Sequence, residues 1–195
     1  MKKLSIPVII IAVVAVIAIM FVSAYNSLVS SEESVDTAWS QVENVYQRRA
    51  DLIPNLVNTV KGYAAHEKET LEGVVSARAK ATQMTIDPTN LTPEAIEKFQ
   101  AAQGELGSAL GKLLAITENY PDLKANENFK ELQAQLEGTE NRIAVERKKF
   151  NETAQVYNTS IRKFPRSIVA SMFGFERKPY FKAQEGAEQA PTVQF

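Results

Sequence analysis

The chain has 195 residues, 45% of them hydrophobic, and a formal net charge of −1. Without Lys2 and Lys3, 20 basic residues face 23 acids and the balance is −3, so no basic field exists to hold a nucleic-acid backbone and no nucleic acid is expected as a partner. The absence of cysteine removes disulfides, thiol nucleophiles and cysteine metal sites, and the 19 Glu among the 23 acids are a helix-forming bias.

No charge appears from Leu4 to Ser31, and Ile6 to Val22 is almost wholly aliphatic. About 20 apolar residues cross a bilayer as a helix, so a short tail (1–3) is expected to precede a transmembrane helix (4–24). Lys2 and Lys3 favour an N-terminus in the cytoplasm and a body outside it. A cleaved signal peptide competes, because Val22-Ser23-Ala24 resembles a cleavage site, but a signal h-region is only about 7–15 residues long.

Beyond Tyr25 the helical pattern continues without a breaker, with a seam of Val35, Trp39, Val42, Tyr46, Arg49, Ile53, Leu56, Val60 and Tyr63 in steps of four and three. Pro54 removes the hydrogen bond to the Ala50 carbonyl, which implies a kink or a complete break. Gly62 to His66 ends this helix, and a shorter one to about Gln83 carries Leu71, Val75, Arg78 and Thr82. Asp87-Pro88-Thr89-Asn90 is turn chemistry. Thr92-Pro93-Glu94 starts the third helix as N-cap, first-turn proline and acid at the positive end. Its seam is Ile96, Phe99, Gln103, Leu106, Leu110, Leu113, Thr117 and Tyr120. Gly104, Gly107 and Gly111, with Ser108, suggest close approach of another helix backbone.

After a linker from Pro121 to Asn126, the longest pattern runs from Glu127 to Phe164. Its stripe is Phe129, Leu132, Leu136, Thr139, Ile143, Glu146, Phe150, Ala154, Tyr157, Ile161 and Phe164. At roughly 1.5 Å per residue it would be on the order of 55 Å long, so its partners must be long helices. Phe164-Pro165 ends it, and Ser167 to Phe173 can form another apolar turn or two. The fold expected is all-α, a transmembrane helix followed by an antiparallel up-and-down bundle of about four helices (25–165). A C-terminal short helix and extended tail (166–195) follow, the tail either docked by Phe175, Tyr180 and Phe181 or partly disordered.

No constellation for catalysis emerges. His66 is the single histidine and lacks the second His of a zincin motif; there is no phosphate loop and no nucleophile elbow. No catalytic residue, cofactor or metal is therefore expected. Arg49 and Glu146 are the charged residues in their respective seams. Both lie near mid-stripe, so they are expected at similar height as an ion pair that fixes register; the alternative is that both reach past the seam edge to water. Arg48, Asp51, Asn55 and Asn58 surround Pro54 on one flank, and Thr139, Glu140, Asn141 and Arg142 form a polar patch on the long helix. The candidate polar interaction site is thus Arg49, Pro54, Asn55, Glu140, Asn141, Arg142 and Glu146. Val193-Gln194-Phe195 has the form of a peptide that adds to a PDZ-type sheet edge.

Several runs resemble the LemA family. They are Tyr25-Asn26-Ser27-Leu28-Val29, Gln47 to Val57 (QRRADLIPNLV), Thr59 to Ala64 (TVKGYA) and Glu137 to Ala144 (EGTENRIA), then Tyr157-Asn158-Thr159, Phe164-Pro165, Phe173-Gly174-Phe175 and Pro179-Tyr180-Phe181. The resemblance covers nearly the whole chain in order. It implies a bacterial membrane protein with one N-terminal transmembrane helix and an antiparallel helical bundle, and it brings no catalytic residues. It also implies an N-terminus outside the cell, opposite to the orientation that Lys2 and Lys3 favour. The reading is a non-enzymatic scaffold or adaptor that sits in the lipid bilayer and binds a protein partner, with homo-oligomerisation left open. The alternative is a membrane-associated hydrolase or an accessory subunit of an envelope protease.

Overall fold

The computed structural model describes residues 6–88 and 91–182. Lys2, Lys3, Thr89, Asn90 and the Val193-Gln194-Phe195 terminus lie outside the described residues. The helices are α1 (Ile6–Lys61), α2 (Lys68–Gln83), α3 (Pro93–Thr117), the short α4 (Pro121–Ala125), α5 (Glu127–Ser160) and α6 (Arg166–Phe173). No strand occurs among the described residues. The chain is all-α, with a long apolar N-terminal helix as a candidate membrane span followed by helices that pack together. It divides into two packed units. Among the described residues, one comprises 6–49, 88 and 135–178, the other 50–87, 91–134 and 179–182.

In the first unit, α1 begins as an apolar cylinder with exposed side chains from Ile6 to Ser23, Phe21 alone being half-buried. Packing starts at Ala24 and Leu28 and continues through Val35, Trp39, Val42 and Tyr46, the stripe expected from the spacing. It meets Ile143, Phe150, Ala154 and Tyr157 of α5, with the Trp39 and Phe150 rings edge-to-face at 5.6 Å. The two helices are antiparallel. Ten residues from Arg49 back to Trp39 match ten from Glu140 on to Phe150, and seven more reach Glu32 and Tyr157, whose carboxylate and hydroxyl interact. α5 ends at Ser160, one turn before the expected Phe164, which is 81% exposed beyond the helix. α6 buries Val169 and Ala170 and is closed by Gly174 at φ 75°, a left-handed cap that only glycine adopts without strain.

In the second unit, the end of α1 buries Ile53, Leu56, Val57 and Val60, while Tyr63 stands exposed past the helix end instead of completing the seam. α2 and α3 run antiparallel, Lys80 meeting Glu105 and Glu67 meeting the Tyr120 hydroxyl. Thr92 caps α3 by accepting from the Ala95 N–H at 3.1 Å, as expected of that start. The α3 seam is buried from Ile96 to Thr117. The α2 stripe is Leu71, Val74, Ala77 and Ala81, one residue off the expected Val75, Arg78 and Thr82; Val75 is exposed. In an Ala-rich helix the smaller side chains admit the closer approach, so they take the inner face. The expected backbone approach at Gly104, Gly107 and Gly111 is absent, since a Cβ at each would meet nothing within 4 Å.

Pro54 does not break α1, which is helical throughout Ile6–Lys61. Proline has no N–H, so the buried Ala50 carbonyl loses its helical donor. Arg78 of α2 replaces it, its Nε–H donating to Ala50 O at 2.7 Å. An orphaned buried carbonyl costs about 1–3 kcal/mol, and Arg78→Met should lower unfolding stability by about that amount. Pro54→Ala restores the backbone donor, so the same Arg78 change made in that background should cost markedly less. Denaturant unfolding of the four detergent-solubilised proteins, followed by circular dichroism, measures the cycle.

Candidate functional site

In the first unit the Arg49 side chain is 4% exposed and donates from Nη1 to Glu140 Oε1 at 2.7 Å, whereas the Glu140 side chain is 46% exposed. The guanidinium also lies over the Tyr46 ring, 5.0 Å from its centroid, a cation–π contact that stabilises a buried charge. Burial raises the pKa of the Tyr46 hydroxyl, against the opposing pull of the Arg147 and Arg49 charges. Thr139, the polar seam position beside Glu140, is satisfied locally by donating to the Gln135 carbonyl at 2.7 Å.

The expected Arg49–Glu146 pair is not formed. Glu146 Oε1 is bound by Lys149 Nζ at 2.7 Å within α5, and the partner of Arg49 is Glu140. Counting to the middle of each stripe put the acid six residues too far along, on the order of 9 Å of helix rise. The register follows the Trp39–Phe150 contact instead. Glu140 flanks the seam, and only a side chain that leans inward from the flank can satisfy a seam arginine. Asn141 and Arg142 are exposed on α5 beside it, and Pro54 and Asn55 are exposed on α1 in the second unit. The hydroxyl of Thr59 donates to the Asn55 carbonyl.

A second buried polar cluster in the first unit escaped the sequence reading. Lys178 Nζ pairs with Glu32 Oε1 at 2.8 Å and lies 5.9 Å from the centroid of the Tyr157 ring, and the Lys178 side chain is 9% exposed. Asn158 holds the same residue by its backbone, donating from Nδ2 to the Lys178 carbonyl at 2.8 Å and accepting the Lys178 N–H at 2.9 Å. The signal lay in Tyr157-Asn158, a polar pair on an otherwise apolar stripe, but its partner comes from an aperiodic tail. Phe175 meets Tyr25 at 5.9 Å, in line with the expected docking of the tail in this unit. In the second unit Phe181 is buried, and Gln100 pairs both ways with the Lys182 backbone. Tyr180, also expected to dock, is 39% exposed.

An open groove of about 600 Å³ between α2 and α3 is lined by Glu69, Ser76, Lys80, Glu105, Ser108 and Lys112, where Lys80 and Glu105 already neutralise each other at 3.2 Å. His66 stands exposed in the α1–α2 connection. Among the described residues no three His, Asp or Glu converge as metal ligands would.

The family pattern of LemA matches residues 38–195. The chain belongs to the LemA family. Curated relatives of this chain include proteins with magnetosome names. Magnetosome protein MamQ of Magnetospirillum gryphiswaldense is 30% identical over 87% of this chain and 68% of its own length. Magnetosome protein MamQ 1 of Paramagnetospirillum magneticum is 29% identical over 94% and 73%. Protein LemA of Metamycoplasma hominis is 24% identical over 85% and 72%. Two of the LemA-like runs, 47–57 and 137–144, supply the two sides of the Arg49–Glu140 pair.

Two outcomes follow from this geometry. Glu140→Ala strips a buried guanidinium of its carboxylate and should cost about 1–2 kcal/mol, discounted for the half-exposed acid; Glu146→Ala should stay within about 0.5 kcal/mol. Equal losses in denaturant titrations would refute this pairing. Burial, then the nearby Glu32 carboxylate, raises the Tyr157 hydroxyl pKa well above the ordinary tyrosine value of 10.0. Below about pH 10 both states keep the phenolic proton and its contribution is intact; above it the unfolded chain releases a proton that the native state retains. Stability should therefore fall as pH rises above about 10, and Tyr157→Phe should flatten that alkaline decline.

Proposed function

We propose that this LemA-family protein is a single-pass membrane protein whose helical body acts without chemistry of its own, as an adaptor for a protein partner at the membrane. The observation that carries the reading is the contrast along α1: none of its most apolar 18-residue stretch is buried, yet the same helix runs on into a packed core. A core helix of that composition would be covered by protein, and a continuous apolar surface of that extent is stable only in lipid. Residues 4–24 supply the span and 25–165 the body. Lys2 and Lys3 favour a body outside the cytoplasm, against the orientation that the LemA resemblance implies.

The recognition surface is the polar stretch Glu140-Asn141-Arg142 of α5. Arg49 engages one oxygen of Glu140, and the half-exposed carboxylate stays available at the surface with Asn141 and Arg142. Pro54 and Asn55 offer a second exposed polar segment on α1, and Glu146, paired with Lys149, lies farther along α5. A pre-ordered carboxylate loses little side-chain entropy on binding, which favours it as an anchor for a cationic or amide-bearing partner. The names of the relatives state no reaction, and the clefts described above hold no convergent Glu and Arg.

Alkaline extraction should leave the protein in the membrane pellet with an intact mass that includes residues 1–24; release into the supernatant, or a mass shortened by that segment, would refute the span. The chain lacks cysteine, so a Lys149→Cys variant can be probed in intact cells with an impermeant maleimide, and labelling is expected if the body lies outside the cytoplasm. A photo-crosslinker at Asn141 should give a reproducible protein adduct that one at Lys112 does not. Identical adduct patterns at both positions would refute the proposed surface.

A further inference from the structure

α6 buries Val169 and Ala170, and its outward side is apolar. Ile168 is 51%, Met172 66% and Phe173 54% exposed, and Phe164, one turn ahead of Ile168, is 81% exposed. A step of four places Ile168 and Met172 on one side of α6, with Phe164 exposed in the turn just ahead of the helix, while Val169 and Ala170 face the unit. A line of large apolar side chains on an eight-residue helix has no reason to face water.

Its position says what covers it. The Phe173 ring lies 4.8 Å from the Tyr25 ring and 6.1 Å from that of Phe21. Phe21 and Tyr25 stand where α1 passes from wholly exposed apolar residues to its first buried ones, Ala24 and Leu28. On the reading that residues 4–24 cross the bilayer, this is the level at which the helix leaves the hydrocarbon. Aromatic side chains gather there because their apolar rings and polar edges suit the interface. The charges agree, since Arg162, Lys163, Arg166 and Arg177 flank α6 and Glu176 is the single acid between Arg162 and Lys178. Such a basic surround is attracted to anionic headgroups.

We infer that α6 is an interfacial helix that lies in the outer layer of the same bilayer α1 crosses, with Phe164, Ile168, Met172 and Phe173 inserted at headgroup depth. The body is thereby held to the membrane at two points, a spanning helix and a surface helix, joined by the Phe173–Tyr25–Phe21 ring contacts. An interfacial helix of this kind binds by apolar burial together with attraction to anionic lipid.

This inference rests on the span proposed above, and one experiment separates the two. Single-cysteine variants Val14→Cys, Met172→Cys and Lys149→Cys of the full chain are labelled with an environment-sensitive fluorophore and reconstituted into vesicles of phosphatidylcholine and phosphatidylglycerol. Some vesicles contain lipid with a doxyl quencher near the headgroup end of its chain, others lipid with the quencher at mid-chain. The expected result is strong mid-chain quenching at position 14, several-fold stronger shallow quenching at 172 than at 149, and a blue-shifted emission at 172. Quenching at 14 with position 172 no more quenched than 149 overturns the interfacial helix and leaves the span standing. No quenching at 14 overturns the span and this inference together. Because Met172 is already exposed, its label does not disturb the core. Phe173→Ala supplies a second reading, expected to weaken shallow quenching at 172 while quenching at 14 is unchanged.

Discussion

The register between α1 and α5 in the first unit decides which side chains meet there. Trp39 packs edge-on against Phe150 at 5.6 Å, both fully buried, and burial of two large rings outweighs any single polar contact nearby. Equal steps away from that contact put Arg49 on Glu140 at one end and Tyr157 beside Glu32 at the other. The charges add little to the strength of the packing but penalise errors in it. A slip of one helical turn would carry Arg49 away from Glu140 and strip a buried guanidinium of its carboxylate, a loss of about 1–2 kcal/mol. Apolar seams alone tolerate such slips, because a stripe of similar residues repeats every turn or so. The polar exceptions make a single alignment favourable.

Stripes with large residues were readable in advance and small or flanking ones were not. The periods of α1, α3 and α5 appear as spaced Trp, Phe, Leu and Ile, and those positions are buried in each unit except Leu132, which is half-buried, and Phe164, which is exposed. α2 offers Val74 and Val75 side by side with alanines on both flanks, so two stripes fit the sequence equally and the closer-packing one prevails. Glycines at 104, 107 and 111 mark no close approach, because the lack of a side chain permits contact without requiring it. For the candidate site, Arg49 was visible as a charge in a seam, but Glu140 was hidden on the flank and Glu146 drew attention by lying in the stripe. Lys178 lay beyond reach altogether, since an extended tail has no period from which to infer its neighbour.

Backbone hydrogen bonding explains several side chains that hydrophobic patterning does not. Ala50 loses its donor to Pro54 and gains one from Arg78. In the extended tail, Lys178 is bracketed by the Asn158 amide and Lys182 by the Gln100 amide, each side chain donating to the carbonyl and accepting from the N–H as a neighbouring strand would. A tail without a helical ladder of its own would otherwise leave buried polar groups unpaired. Amide side chains suit this task because one group carries both a donor and an acceptor. Several polar residues on the helix faces are thus consumed by architecture.

The unbroken backbone of α1 bears on how such a body can act. A linker between span and body would let the packed part swing, whereas a helix resists bending because each turn is tied by its own hydrogen bonds. Here the first buried positions, Ala24 and Leu28, follow the exposed apolar stretch with no Gly or Pro between them. Rotation or tilt of the exposed apolar stretch must therefore be carried directly into the packing around Leu28, which is fully buried. The contact of Phe173 with Tyr25 braces the same turn from α6. If the apolar stretch crosses a bilayer as proposed, a body joined to it in this way would present its surface at a set orientation, and a partner in the same membrane would meet it without first losing the entropy of a freely moving domain.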